Sequence, residues 1–189
     1  MHITTGKKLL TSAEYIQLIE QGVLTETDRV ELIEGEVVEK MTVGNRHVGR
    51  VSRLNHLFIG RFGYLVMVIS QSPVLLTDVS MPEPDLVVLQ VRDDFYETSY
   101  ATPHDILLVV EVADSSLAFD RLRKARLYAA AAVTEYWLIN LRDDVLEVYR
   151  QPTPQGYASV AILRRGDRVA LAAFPEFELT VEELVPTGS

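Results

Sequence analysis

The chain contains no cysteine, so it has neither a disulfide framework nor a thiolate metal site. No apolar run approaches membrane-spanning length, and the first ten residues, MHITTGKKLL, lack the long apolar core of a secretory signal. The motifs of phosphate-binding glycine loops, dinucleotide sites, nucleophile elbows and His-x-x-x-His zinc sites are also missing. These absences favour a cytoplasmic protein without membrane contact and exclude several common enzyme classes.

Acidic side chains are missing from one long stretch of an otherwise acidic chain. The formal net charge is −9, yet the stretch from Lys40 to Thr77 holds five cations and no acid. The net charge argues against a surface that coats nucleic acid generally, but a local basic zone can face a polyanion on one side. Arg46, Arg50 and Arg53 share a face of the helix predicted there, so we expect them to contact nucleic acid. The alternative is an ordinary solvated helix face.

The composition, with 48% hydrophobic and 24% charged residues, is that of one soluble globular domain spanning residues 1–189. Residue patterns predict an α/β or α+β fold, with a mixed central sheet flanked by helices and additional β-hairpins. Helices are predicted at residues 12–21, 45–62, 117–132 and 181–184, single strands at 64–70, 74–76, 85–91 and 105–113, and hairpins that pair 30–33 with 36–41, 135–141 with 145–150, and 157–165 with 167–173.

A carboxylate interrupts the most apolar segment, ILLVVEVADSS at residues 106–116. A lone buried Glu111 would cost several kcal/mol unless something neutralises its charge. Asp85 opens another apolar strand directly after Pro84. Two acids on neighbouring strands are an arrangement that holds Mg²⁺ or Mn²⁺, and the backbone carbonyl of Val112 would add a ligand. The pattern therefore predicts a divalent-metal site.

Lys124 follows Glu111 by thirteen residues, on the helix that should pack back over the sheet. Tyr128 shares its helix face. An ammonium beside metal-bound carboxylates can orient a water for attack on phosphorus and stabilise charge on the phosphoryl oxygens. We therefore expect Lys124 to take part in phosphodiester hydrolysis.

Each of these residues also has a purely structural interpretation. Asp85 alone would be typical of a turn, and Glu111 could form a buried salt bridge with Arg121 or Lys124 without any catalysis. The corresponding alternative function is a non-catalytic nucleic-acid-binding or protein-interaction module. The order of acid, acid and lysine along strand, strand and helix favours the enzyme.

Several motifs resemble the Uma-two family, a bacterial group of unknown function related to the PD-(D/E)XK nucleases. They are EPDLVV, LLVVEVA and the string K-x-x-x-Y-x-x-x-x-V-x-E-Y-W-L-I from Lys124 to Ile139. The segment RVELIEGEVVEKM and the helix with His47 are similar to that family's N-terminal portion, so the likeness covers residues 11–150. It implies the restriction-endonuclease-like core, a mixed sheet between helices with acids on adjacent strands.

The resemblance also implies roles for individual residues. Pro84 and Asp85 match the PD element, and Glu111 matches the (D/E) position. The superfamily lysine would stand two residues later, where this chain has Ala113, so its role is expected to have moved to Lys124.

The superfamily often carries a further acid on the helix before these strands, and residues 45–62 contain none. Glu31 and His47 are the substitutes that we name as further catalytic residues. The implied activity is that of a Mg²⁺- or Mn²⁺-dependent endonuclease acting on DNA. A homodimer is expected by analogy, since many nucleases of this superfamily cut two strands with two subunits.

Overall fold

A six-stranded mixed sheet forms the centre of the fold in the computed structural model, which describes residues 9–42 and 44–186. The strand order is β3-β4-β5-β6-β7-β8, and every neighbouring pair is antiparallel except β5 with β6. The expected mixed sheet with flanking helices and additional hairpins is thus confirmed. The strands are β1 Val30–Ile33, β2 Glu36–Glu39, β3 Met67–Ile69, β4 Leu86–Leu89, β5 Ile106–Ala113, β6 Glu135–Asn140, β7 Val145–Thr153, β8 Gly156–Leu163, β9 Arg168–Leu171 and β10 Phe174–Thr180.

Helices cover both faces of this sheet and bury its apolar residues. The four-residue strand β4 is buried on both faces, as expected for the centre of a sandwich of layers. One face packs against α2, and the other packs against α3 and α4, which form the crossover between the parallel strands β5 and β6. Within the described residues, no helix is long and apolar enough to cross a bilayer. The helices are α1 Ser12–Glu20, α2 Asn45–Phe62, α3 Leu117–Phe119, α4 Ala125–Ala130 and α5 Val181–Leu184.

The crossover helix differs from the single helix predicted at residues 117–132. A π-helical turn, Asp120–Lys124, lies between α3 and α4, and the helix ends at Ala130. The wider π turn places both Asp120 and Lys124 on the buried side. Such turns occur often at functional sites.

Strands β4 and β5 are neighbours, as expected; Glu111 lies in β5, and Asp85 immediately precedes β4. The antiparallel register of the two strands pairs Leu86 with Val110. Continued by one residue, this register brings Asp85 opposite Glu111. Continued by two, it brings Pro84 opposite Val112. The site is therefore assembled where β4 begins.

The predicted hairpin of residues 157–165 with 167–173 is wrong. Strand β8 pairs with β7, whereas β9 pairs with β10 in a separate two-stranded sheet. The cause is apolar burial, because Val169 and Leu171 of β9 join the core under α2 instead of extending the sheet edge. The hairpin of β6 with β7 is confirmed, as is that of β1 with β2, which ends at Glu39.

The first edge of the sheet is shorter than expected. The predicted strand at residues 64–70 divides into a 3₁₀ turn, Gly63–Leu65, and the three-residue β3. Residues 74–76 form no regular strand; Val74 donates to the carbonyl of Pro82 and Leu76 donates to that of Ser80. Prolines and serines nearby supply these irregular bonds in place of a ladder.

Candidate metal and catalytic site

Glu111 is 3% exposed and is surrounded by donors. Its Oε1 accepts hydrogen bonds from Lys124 Nζ at 2.9 Å and from the Tyr128 hydroxyl at 2.8 Å. Its Oε2 lies 3.4 Å from the backbone nitrogen of Asp85. Burial raises the pKa of Glu111 well above its usual value, the Lys124 ammonium opposes this shift, and the neighbouring acids add to it. The ionised form of Glu111 therefore depends on a nearby positive charge.

Asp85 is held on one side of its carboxylate and open on the other. Its Oδ2 accepts from the backbone N–H of Val112 at 2.8 Å and from His47 Nε2 at 3.0 Å. Its Oδ1 has no hydrogen-bond partner among residues 9–42 and 44–186. Because the N–H and C=O of one strand residue point to the same side, the Val112 carbonyl also faces this end of β4. The residue opposite is Pro84, which has no N–H to offer.

Lys124 joins Glu111 to a second buried acid. Its Nζ lies 3.2 Å from Glu31 Oε2, and that oxygen also accepts from the backbone N–H of Glu83 at 3.1 Å. Burial alone would lower the pKa of Lys124, but the attraction of Glu111, Glu31 and Asp120 outweighs it, so the pKa is raised. Lys124 is therefore a fixed ammonium and not a base. The structure thus brings Glu31 and His47 beside Asp85, Glu111 and Lys124.

Asp120 is a third buried acid of this cluster, and the sequence patterns did not single it out. It lies in the π-helical turn, and burial raises its pKa to about 6 although Lys124 and a hydrogen bond from Ser116 oppose the shift. Its spacing of four residues before Lys124 was the available signal, since such pairs share a helix face. The sequence places Tyr128 on the same helix face as Lys124, and in the structure its hydroxyl donates to Glu111.

The cluster holds more acidic than basic side chains. Four carboxyl groups, those of Glu31, Asp85, Glu111 and Asp120, act on one another. Three of them, Glu31, Glu111 and Asp120, share the Lys124 ammonium, whereas Asp85 binds His47. Within the described part of the chain, no group of three or more acidic or histidine side chains is arranged to hold a metal ion. Any cation here would therefore rely on two carboxylates, backbone oxygen and water.

Of the two salt-bridge partners considered for Glu111, the structure selects Lys124. Arg121 turns away and binds Glu147 instead, with Nε 3.1 Å from Oε2. His47 binds Asp85 through Nε2, while its Nδ1 is buried and has no partner in the described residues.

The three α2 arginines expected to contact nucleic acid, Arg46, Arg50 and Arg53, do not form one polyanion-facing surface. Arg50 is buried, and its guanidinium donates to the carbonyls of Leu184 and Pro186 near the C-terminal end. Burial lowers its pKa, and neighbouring arginines add to this. Arg46 donates to the carbonyl of Leu141 and pairs with Asp144 in the turn between β6 and β7.

Arg53 is exposed and has no ion-pair partner among the described residues. The expectation for Arg50 is therefore corrected. Arg50 points from α2 toward α5 and is buried there. Helical spacing places it on one face with Arg46 and Arg53, but it does not show that α5 covers that position.

The fold as a whole resembles that of a solved nuclease-like protein. The structure aligns with a crystal structure described as a "putative nuclease belonging to DUF820" from Anabaena variabilis ATCC 29413, with a TM-score of 0.71. The alignment covers 93% of this chain and 97% of that one at 16% sequence identity, so it shows the shared fold alone.

The sequence identifies the family to which the chain belongs. Residues 12–182 match the model of the Uma2 family, which is described as "Putative restriction endonuclease", and the chain belongs to this family. A relative named "Uncharacterized protein sll1609", from Synechocystis sp. (strain ATCC 27184 / PCC 6803 / Kazusa), is 30% identical over 145 residues. That match covers 74% of this chain and 80% of the relative.

Proposed function

We propose that this protein is a divalent-metal-dependent nuclease that hydrolyses phosphodiester bonds of DNA. The observation that carries the proposal is the acid excess of the buried cluster, with an open oxygen on Asp85 at its edge. Mg²⁺ or Mn²⁺ would be held by Asp85, Glu111 and the carbonyl of Val112. Membership of a family described as restriction endonucleases supports the same activity.

The donor set suits a hard cation. Magnesium prefers oxygen ligands, takes one or two carboxylates from the protein, and keeps waters and substrate phosphates at its remaining positions. Asp85 offers Oδ1, and Val112 offers a carbonyl that faces a proline. The bond from the Asp85 nitrogen to Glu111 Oε2 is long, at 3.4 Å, so that oxygen is the one most readily shared.

The chain's own residues would divide the remaining work. When bound, the cation would polarise the phosphoryl group and its attacking water. Lys124, which is charged and fixed between Glu31 and Glu111, would hold that water and stabilise negative charge on phosphorus. His47 would hold the Asp85 carboxylate in place through Nε2.

The part of α2 that faces solvent would supply a weak phosphate contact. Of the three arginines expected to contact nucleic acid, Arg53 is free to bind a polyanion, whereas Arg50 supports the fold and Arg46 is shared with Asp144. Cutting both strands of a duplex would take two sites, so a homodimer belongs to the proposal for such substrates.

A cleavage assay tests the proposal. Labelled DNA would be incubated with Mg²⁺ or Mn²⁺ and wild type, Asp85→Asn or Asp78→Asn, the last being the same chemical change at an exposed acid. We expect wild type and Asp78→Asn to cut alike and Asp85→Asn to be slower by at least about 10²-fold. DNA left intact by wild type with either metal, or equal rates for Asp85→Asn, would contradict the proposal and favour a binding module.

A further inference from the structure

An apolar cavity of about 300 Å³ lies against strand β4, which begins directly after Asp85. Val87 and Leu89 form part of its wall, and both belong to the core cluster that includes Val109 and Ala113. Glu111 lies between Val109 and Ala113 in the strand alternation, so it points to the same face of the sheet. The cavity and the acid cluster therefore occupy one side of the sheet.

The distance between them is short. Val87 follows Asp85 by two residues, and two strand residues span about 7 Å. This is comparable to the separation of a phosphate from the base of its own nucleotide. A phosphate at Asp85 would thus place its base at the mouth of this cavity.

Aromatic rings and hydroxyl groups line the cavity. Phe95, Tyr96 and Tyr100 contribute rings, and Phe95 is 64% exposed although it is a large apolar side chain. Ser72 and Ser99 contribute hydroxyls at the wall. Unpaired bases bind proteins by stacking on aromatic rings and by hydrogen bonds to their edges, and this lining offers both.

The loop that carries these rings is held in a strained conformation. Phe95 and Tyr96 both have positive φ, 49° and 60°, which bulky residues rarely adopt. Asp94 maintains the loop by accepting from Arg92, from Thr98 and from the backbone N–H of Tyr96. The Arg92 guanidinium also lies 4.4 Å from the centre of the Tyr96 ring. The loop backbone and the Tyr96 ring are therefore held in advance of binding, and strain of this kind is typical of ligand sites.

We propose that this cavity binds one unstacked nucleobase of the strand being cut, beside the phosphate at Asp85. The inference rests on the proposed nuclease function and names its substrate class: single-stranded or locally unpaired DNA. The volume suits one base, because it lies at the lower end of the range for small-ligand pockets. A base within a continuous duplex cannot enter such a pocket without leaving its stack.

Binding of short DNA strands tests the proposal without requiring cleavage. Affinity would be measured with Ca²⁺ in place of Mg²⁺, for an intact single strand and for strands that carry one abasic residue at successive positions. The proteins would be wild type, Phe95→Ala, Phe95→Trp and Tyr64→Ala. Tyr64 is fully exposed in the turn after α2, outside the cavity, and so serves as the matched control.

We expect Phe95→Ala to weaken binding of the intact strand about tenfold, with Phe95→Trp and Tyr64→Ala close to wild type. One abasic position should cost wild type about tenfold and should cost Phe95→Ala nothing further, since both changes remove the same stacking contact. A fully paired duplex should bind more weakly than a duplex with one unpaired nucleotide.

Equal losses for Phe95→Ala and Tyr64→Ala, or abasic effects that add to Phe95→Ala, would overturn the base pocket. It would also be overturned if wild type bound no single strand, or if Phe95→Ala changed only self-association, which would assign the cavity to a second copy of the chain. Cleavage without the stacking effect defeats this inference alone. A stacking effect without cleavage defeats the proposed hydrolysis and leaves the pocket.

Discussion

The same sheet buries carboxylates of two kinds, and Glu147 and Glu111 show the difference. Glu147 accepts from Arg121, from the Tyr149 hydroxyl at 2.7 Å and from the Asn140 amide at 3.2 Å. Burial would raise its pKa, but these hydrogen bonds outweigh burial and lower it. The pKa of Glu111 is instead raised. Hydrogen bonds therefore outweigh the cost of burying the charge of Glu147, whereas burial outweighs the contacts of Glu111.

Glu135 repeats the balanced pattern on the neighbouring strand. It is fully buried, yet its Oε1 accepts from Arg150 Nε and Trp137 Nε1, both at 2.8 Å, and its Oε2 accepts from the Ala172 N–H at 2.7 Å. Each structural acid of this sheet therefore has its own arginine. The three buried acids around Lys124, by contrast, share one ammonium, and such an excess of buried acidic groups is typical of a site completed by a ligand.

Removal of the cation from each kind of cluster should have the largest effect. Lys124→Met leaves Glu31 and Glu111 buried without their partner, and we expect a loss of roughly 3–5 kcal/mol in unfolding free energy. Arg121→Met should cost about 2–3 kcal/mol, because Glu147 keeps its other donors.

Denaturation with and without Mn²⁺ separates the two variants. Mn²⁺ should restore part of the stability of Lys124→Met and none in Arg121→Met. An equal response of both variants to Mn²⁺ would remove the distinction between the clusters.

Neutralising one acid in each cluster should change stability in opposite directions. The pKa of Asp120 is about 6 in the folded protein against an ordinary 3.8, so folding carries a penalty that is full above about pH 6 and vanishes as the pH falls toward 3.8. Asp120→Asn should therefore stabilise the protein at pH 8 by roughly 3 kcal/mol at most. This gain should disappear near pH 4.

Glu147→Gln should do the reverse, because the lowered pKa of Glu147 contributes stability above its ordinary value of 4.5, and this is lost as the pH falls through the folded pKa. Urea denaturation from pH 8 down to the acid side of the folded Glu147 pKa measures both curves. If both substitutions changed the unfolding free energy in the same direction, the two clusters would not differ in the way described.

Removal of one tyrosine hydroxyl from each cluster should have the smallest effect. Tyr128→Phe and Tyr149→Phe each delete one hydrogen bond to a buried carboxylate, and each should cost about 1–2 kcal/mol. Only Tyr128→Phe should change the affinity for Mn²⁺, because Tyr128 binds the proposed ligand Glu111, whereas Tyr149 binds Glu147, which is not a proposed ligand. If Tyr149→Phe shifts that affinity as much, the metal lies elsewhere.

The sequence predicted those parts of the site that local pattern governs. Apolar runs interrupted by Asp85 and Glu111 identified two buried strands, and the register of β4 with β5 brought the acids together. The position of Lys124 on the helix after Glu111 predicted its role, and the family resemblance agreed with it. Family resemblance, rather than periodicity, supplied the name of the fold. Local patterns and family motifs both depend on residues that lie close together along the chain.

Long-range packing decided what the sequence could not show. Arg50 reaches carbonyls more than a hundred positions away, and helical spacing gives no information on such a contact. The π turn that buries Asp120 and the pairing of β9 with β10 likewise depend on which surfaces meet in the folded core. The cavity beside β4 required the strained backbone at Phe95 and Tyr96, which no propensity predicts.

A calorimetric titration with Mn²⁺ tests most directly whether the unbalanced cluster is a cation site. Wild type, Asp85→Asn and Glu147→Gln would be titrated under identical conditions near pH 7. We expect one binding site in wild type, the same site in Glu147→Gln, and none in Asp85→Asn. No binding heat in wild type, or the same isotherm for Asp85→Asn as for wild type, would contradict the assignment of Asp85 and Glu111 as metal ligands.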